Sequence, residues 1–152
     1  MKNRLARALV IGMLGVSLGA GLASAKDGDT RERFRARLIG AFIEGIAPGG
    51  KTDSEARTRP GSEGRIRSST EVEDVNLPTG TTLDIWVGAG MCGDEPGDVM
   101  VGEITLDDLG GGDLNLDSRR GDAVPDLLLT EGRVVSVCHE GSLVLIGTLD
   151  VK

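Results

Sequence analysis

Cys92, Cys138 and His139 are the residues of this 152-residue chain whose types carry the most reactive chemistry. The chain has two cysteines and one histidine, and His139 directly follows Cys138, which sets an imidazole beside a thiol in sequence. Adjacent residues of a strand point to opposite faces, so the two side chains are not placed to act as base and nucleophile. Serines are plentiful, yet no second histidine or lysine base accompanies one in a strained nucleophile turn. The expectation is a protein without catalytic residues. The cysteines are read instead as one bridge, Cys92 to Cys138, with two free thiols or half of a metal site as the alternative. Closing so long a loop would remove on the order of 4 kcal/mol of unfolded-state entropy, comparable with the whole stability of a small domain.

Two groups of acids are candidate calcium ligands. Asp94, Glu95 and Asp98 follow Cys92, and Asp107, Asp108 and Asp113 flank Gly110-Gly111-Gly112. Oxygen-rich loops of this kind hold calcium, but the spacing matches neither the EF-hand loop nor a nonapeptide calcium repeat. The competing reading is of solvated turns, where aspartate bonds its own backbone, and no other cofactor is expected. Arg120-Gly121-Asp122 spells the integrin-recognised tripeptide, and Gly-Asp before Val124-Pro125 also simply makes a turn. Trp86 has the parity opposite to Leu83, Ile85 and Val87. It is either covered by the residues before Arg33 or by Ile39 to Ala47, or it joins Met91 in an exposed surface for a partner or a sugar ring.

The compartment in which this chemistry takes place is read from residues 1–25. Lys2, Arg4 and Arg7 precede an apolar run from Ala8 to Leu22, and Ala23-Ser24-Ala25 follows. A positive start, an apolar stretch too short for a comfortable membrane span and a small-residue site are the three parts of a secretory signal peptide, with cleavage expected before Lys26. Loss of that leader removes three cations and leaves 14 Lys and Arg against 24 Asp and Glu, a net charge of −10. Such a field repels nucleic acid and anionic lipid surfaces, so neither is an expected partner, and no membrane span is expected after cleavage. Arginines gather early (Arg31, Arg33, Arg35, Arg37, Arg57, Arg59, Arg65, Arg67) and aspartates later. This makes the molecule electrically lopsided unless strand pairing interleaves the signs.

The elements that must position these residues are strands. Residues 26–32 lack apolar anchors and are expected to be a mobile leader. From Arg33 the pattern alternates, with Phe34, Ala36 and Leu38 on one face and arginines on the other. Ile39 to Ala47 reads as a strand end and loop, broken by Gly40 and Gly45. Thr52 to Arg59 and Gly64 to Val75 form a hairpin across Pro60-Gly61, and Leu83, Ile85 and Val87 line the next strand. Gly88 to Gly97 is a long loop. Val99 to Asp107 and Leu114 to Asp117 are expected to pair across the triple glycine, as are Val134 to Cys138 and Leu143 to Val151 across His139-Glu140-Gly141. No segment keeps a helical period. With two Phe, one Trp and no Tyr, the core must be aliphatic and thin, which is the physical reason for favouring a disulfide.

Glu71 to Thr81, Val101 to Leu106, Leu114 to Ser118, Gly121 to Pro125 and Leu145 to Leu149 together resemble small repeat-type β domains of exported bacterial proteins. More distantly they resemble the chordin-type (CHRD) domain. The resemblance spans residues 33–151 through turn and core residues, and implies an exported all-β module without catalysis. The sequence therefore predicts an antiparallel β-sandwich of seven or eight short strands over residues 33–152, secreted or periplasmic. Its expected role is that of a non-enzymatic binding or structural module for a protein or glycan of the envelope or matrix. The alternative is an exported metal-binding protein using the acidic loops.

Overall fold

The computed structural model describes residues 28–152, so the expected signal peptide lies outside the described residues. Nine strands follow in order: β1 (Thr30–Ile39), β2 (Gly49–Thr58), β3 (Arg65–Glu73), β4 (Thr82–Gly88), β5 (Val99–Thr105), β6 (Gly112–Asp117), β7 (Val134–His139), β8 (Ser142–Thr148) and β9 (Asp150–Val151). Two short 3₁₀ turns, Ser118–Arg120 and Asp126–Leu129, lie between β6 and β7. Every strand pair is antiparallel, so the all-β fold expected from alternation is the fold observed.

The two layers of a sandwich arise here from one sheet. The hydrogen-bonded path runs β5-β4-β7-β8-β1-β2-β3-β6, with β9 added beside β1, and it curls until its ends approach. A Cβ placed on Gly112 of β6 would lie 2.4 Å from Cγ2 of Ile104 in β5, and one on Gly102 of β5 would lie 2.8 Å from Cδ2 of Leu114 in β6. The result is a nearly closed barrel whose seam is packed by side chains instead of hydrogen bonds. The outer edges of β5 and β6 stay unpaired, and their approach covers them with side chains in place of a partner strand.

The expected hairpin of Val99–Asp107 with Leu114–Asp117 does not form. β5 pairs only with β4 and β6 only with β3, which makes them the two terminal strands of the path. The backbone between them closes a turn on itself, Asp107 N–H donating to the Gly111 carbonyl at 2.8 Å, and is tied elsewhere at its ends: Leu106 N–H donates to the Thr81 carbonyl at 2.9 Å, and Val75 N–H donates to the Gly110 carbonyl at 2.9 Å. Gly110 makes the second contact feasible. It has φ +74°, and a Cβ there would stand 2.3 Å from the Val75 carbonyl oxygen. Residues 30–32, expected in a mobile leader, belong to β1. They are held by the ten-residue register with β2, in which Thr30 faces Thr58 and Arg31 faces Arg57.

Inside the barrel the core is aliphatic, as composition requires. Leu38, Leu83, Ile85, Val87, Ile104, Val135, Val137 and Leu145 are fully buried, and Phe34 is its one aromatic member. Leu128, in the 3₁₀ turn after Pro125, is also fully buried and fills the space that the strands alone leave. Between β2 and β3 the interior is polar instead. Thr52 and Thr70 share a hydrogen bond of 3.0 Å and Ser54 and Ser68 one of 2.9 Å, which satisfies hydroxyls that burial would otherwise penalise. Among the described residues no helix is long and apolar enough to cross a membrane.

Candidate functional site

Two surfaces hold the residues of interest, on opposite parts of the barrel wall. The first is the outer face of β4 and β7. Cys92 and Cys138 form a disulfide across a separation of 46 residues, so the loop after Gly88 is fastened to β7 and the bridge expected from export chemistry is present. The tether is reinforced by polar contacts: Cys92 N–H donates to Ser136 Oγ at 3.0 Å, and Asp98 accepts from the amides of Ala89 (2.9 Å), Gly90 (3.2 Å) and Glu95 (3.1 Å). The Gly90 amide does most to hold the Asp98 carboxyl below the ordinary aspartate range. Partial burial opposes it, and the Glu95 and Ala89 amides assist.

This loop covers one side of the Trp86 ring. Trp86 is half-buried opposite Ser136 of β7 and Met100 of β5. A Cβ on Gly93, where φ is +78°, would come within 2.8 Å of the indole, so only glycine lets the backbone lie on the ring at this distance. Met91 in the same loop is exposed, as are Val99 and Met100. His139 turns to the far end of β4, its Nδ1 3.3 Å from the Thr82 carbonyl oxygen, while the Cys138 sulfur is committed to the bridge.

The acids proposed as calcium ligands are used within their own loops or stand apart. Asp107 accepts from the Leu109 and Gly111 amides at 2.9 and 2.8 Å, closing the turn, and Asp113 accepts from the Asn115 side chain. Asp94, Glu95 and Asp108 are exposed. Among the described residues no group of three or more His, Cys, Asp or Glu is gathered for a metal ion. Arg120-Gly121-Asp122 folds on itself. Arg120 Nη2 donates to Asp122 Oδ2 at 2.9 Å, the same oxygen accepts from the Asp117 amide at 2.8 Å, and Gly121 takes φ +87°.

The second surface was not singled out from sequence. On the outer face of β1, β2, β3 and β6 lies an open depression of about 700 Å³, edged by Arg33, Arg35, Arg67 and Arg120 around Ser69 and Asn115. Register explains why these residues meet: Arg33 faces Glu55, which faces Arg67, which faces Asp117, in one row across four strands. The early arginines are thereby interleaved with acids, so strand pairing offsets part of the asymmetry seen along the chain. Three carboxylates each receive two guanidiniums. Glu55 pairs with Arg31 and with Arg33 at 3.0 Å, Asp117 with Arg65 and with Arg67 at 3.3 Å, and Asp29 with Arg57 at 2.6 Å and Arg59 at 3.3 Å. Arg35 holds Asp53 at 2.5 Å.

The electrostatic consequence shows in the acids. Arg65, with help from the Arg119 amide and Arg67, holds the Asp117 carboxyl far below the ordinary range against the opposing effect of burial. Partial burial works to raise Glu55, and Arg31 and Arg33 more than offset it, leaving the group lowered. Arg57 is the main cause of a lowered Asp29. The signal that would have located this surface is the placement of Arg at alternate positions of β1 and β3 against Asp53 and Glu55 of β2. It becomes readable only when the strand order and register are known.

The fold and site together define a class: a disulfide-tied, single-sheet β-barrel domain with an arginine-rich outer depression. Comparison of the chain with family models, with curated proteins and with solved structures found no match.

Proposed function

We infer that the protein is a non-enzymatic binding or structural module that works outside the cytoplasm, in the periplasm or beyond, on a component of the envelope or matrix. The observation that carries this reading is the arginine-edged depression, a recess fixed by four paired strands and lined by arginines held in place by Asp53, Glu55 and Asp117. Export is supported by the disulfide, a bond that persists in oxidising compartments, and by the charge and apolar pattern of residues 1–25. Pre-organised polar groups on a rigid sheet favour binding because little ordering entropy remains to be lost.

Fractionation of expressing cells tests the export half of the reading. The expected product starts at Lys26, carries no free thiol and is found in the periplasm or medium. Its binding half is tested by co-sedimentation with envelope or matrix preparations. A full-length, reduced chain confined to the cytoplasm would overturn the first, and failure to sediment with either preparation the second.

A further inference from the structure

We propose that the depression on β1, β2, β3 and β6 is a subsite for an anionic polysaccharide bearing carboxylate or sulfate groups. The proposal rests on the binding-module reading and deepens it by naming the ligand class. Charge is the first argument. One carboxylate cancels one guanidinium, so Glu55, shared by Arg31 and Arg33, and Asp117, shared by Arg65 and Arg67, each leave one positive charge on this face. That surplus belongs to a chain whose formal charge is −7, so an acidic ligand is repelled by the molecule at large and drawn to this face.

Geometry is the second argument. Arginine forks match planar or tetrahedral oxyanions through paired N–H donors, and Arg33 and Arg67 approach Glu55 and Asp117 through Nε alone, at 3.0 and 3.3 Å. Their Nη groups make no hydrogen bond within the described residues and remain available at the rim. Beside the paired carboxylates Asp53, Glu55 and Asp117 the lining carries Ser69 and Asn115, small polar side chains suited to hydroxyl-rich rings.

The lining also selects against other occupants. It contains no aromatic side chain, so a neutral sugar has no ring to stack upon. An acidic peptide would share the arginines, but Leu116 is the only apolar residue of the lining, so apolar side-chain pockets add nothing to its hold, and the polyglutamate arm below separates it from a polysaccharide.

The test uses purified oxidised protein and four immobilised polymers: polygalacturonate, dextran sulfate, neutral dextran and polyglutamate. Retention is expected on one or both charged polysaccharides at low salt, lost as salt rises, and absent on dextran; comparison of the first two identifies the oxyanion. Replacing Arg33 and Arg67 together by Ala should weaken retention by about tenfold or more, a change of at least ~1.4 kcal/mol. The melting temperature should be nearly unchanged, because Arg31 and Arg65 still hold Glu55 and Asp117. Ser69→Trp, which fills the recess at constant charge, should have the same effect on retention and guards against a double variant that folds poorly. Equal retention of wild type and both variants, binding to neutral dextran, or polyglutamate held as tightly as the polysaccharides would overturn the proposal. Sedimentation with envelope preparations in the face of such a result would leave the binding-module reading standing and this ligand class rejected.

Discussion

Asp29, Glu55, Asp98, Asp117 and Asp122 are linked by one titration behaviour, although they lie on different strands and loops. Each carboxyl is lowered in the folded protein by guanidiniums, backbone amides or both. A group of this kind takes up its proton more readily in the unfolded chain, so its contribution to stability is complete above the ordinary carboxylate range and is lost as pH falls through the folded value. The melting temperature is therefore expected to be level from pH 7 to about 5 and to fall steadily below about 4, continuing to very low pH because Asp117 is the most strongly held. Thermal melts across that range check it, and Asp117→Asn should flatten the acid limb. A wild-type curve level down to pH 2 would show that these pairs contribute nothing. At this scale the sequence was legible where chemistry is local. Cys92 and Cys138 were recognisable as a pair, and the turn roles of Asp107 and of Arg120-Gly121-Asp122 were among the readings weighed. The arginine row was not legible, because Arg33, Glu55, Arg67 and Asp117 come together only through register.

A strand or loop has its own vulnerabilities. The loop from Gly88 to Val99 lies against the barrel wall through the disulfide, the Asp98 amide contacts and the packing of Gly93 on Trp86. Replacing both cysteines by Ser should cost about 2–4 kcal/mol. Trp86 emission should shift to the red and become more accessible to acrylamide as the loop lifts; unchanged emission after reduction would mean that the indole is covered without the bridge. Gly110→Ala is expected to destabilise by more than about 1 kcal/mol, since the residue needs positive φ and has the Val75 carbonyl where a Cβ would go. Denaturant titration of that variant gives the answer directly. The alternation of Phe34, Ala36 and Leu38 identified β1, and turn residues identified the β2–β3 and β7–β8 hairpins correctly. The β5–β6 hairpin was misread because a glycine-rich connection looks the same whether its flanking strands pair with one another or part to opposite ends of a sheet. The 3₁₀ turn at Asp126–Leu129 went unread because its leucines lack any strand or helix period.

For the molecule as a whole, stability depends on filling a narrow barrel with few large side chains. Leu128 comes from a connecting segment yet is fully buried, so Leu128→Ala should lower stability by about 2–5 kcal/mol, as much as a loss from any strand. Equilibrium unfolding of that variant tests whether the segment is part of the core; a loss below about 1 kcal/mol would make it a peripheral cover. All-β character was readable from alternation alone, whereas the single curled path was not, since period two assigns residues to faces without saying which strand lies beside which. The order of strands also bears on how the chain is made. β1 is flanked by β2 on one side and by β8 and β9 on the other, near residues 146, 150 and 151. A polypeptide emerging amino end first thus waits with that second flank unoccupied until residues 146–151 arrive, more than a hundred residues after β1 begins, and in the interval any extended neighbour can compete for it. Four arginines at alternate positions along β1 are a safeguard suited to this delay, because two nascent copies that met there would bring like charges together.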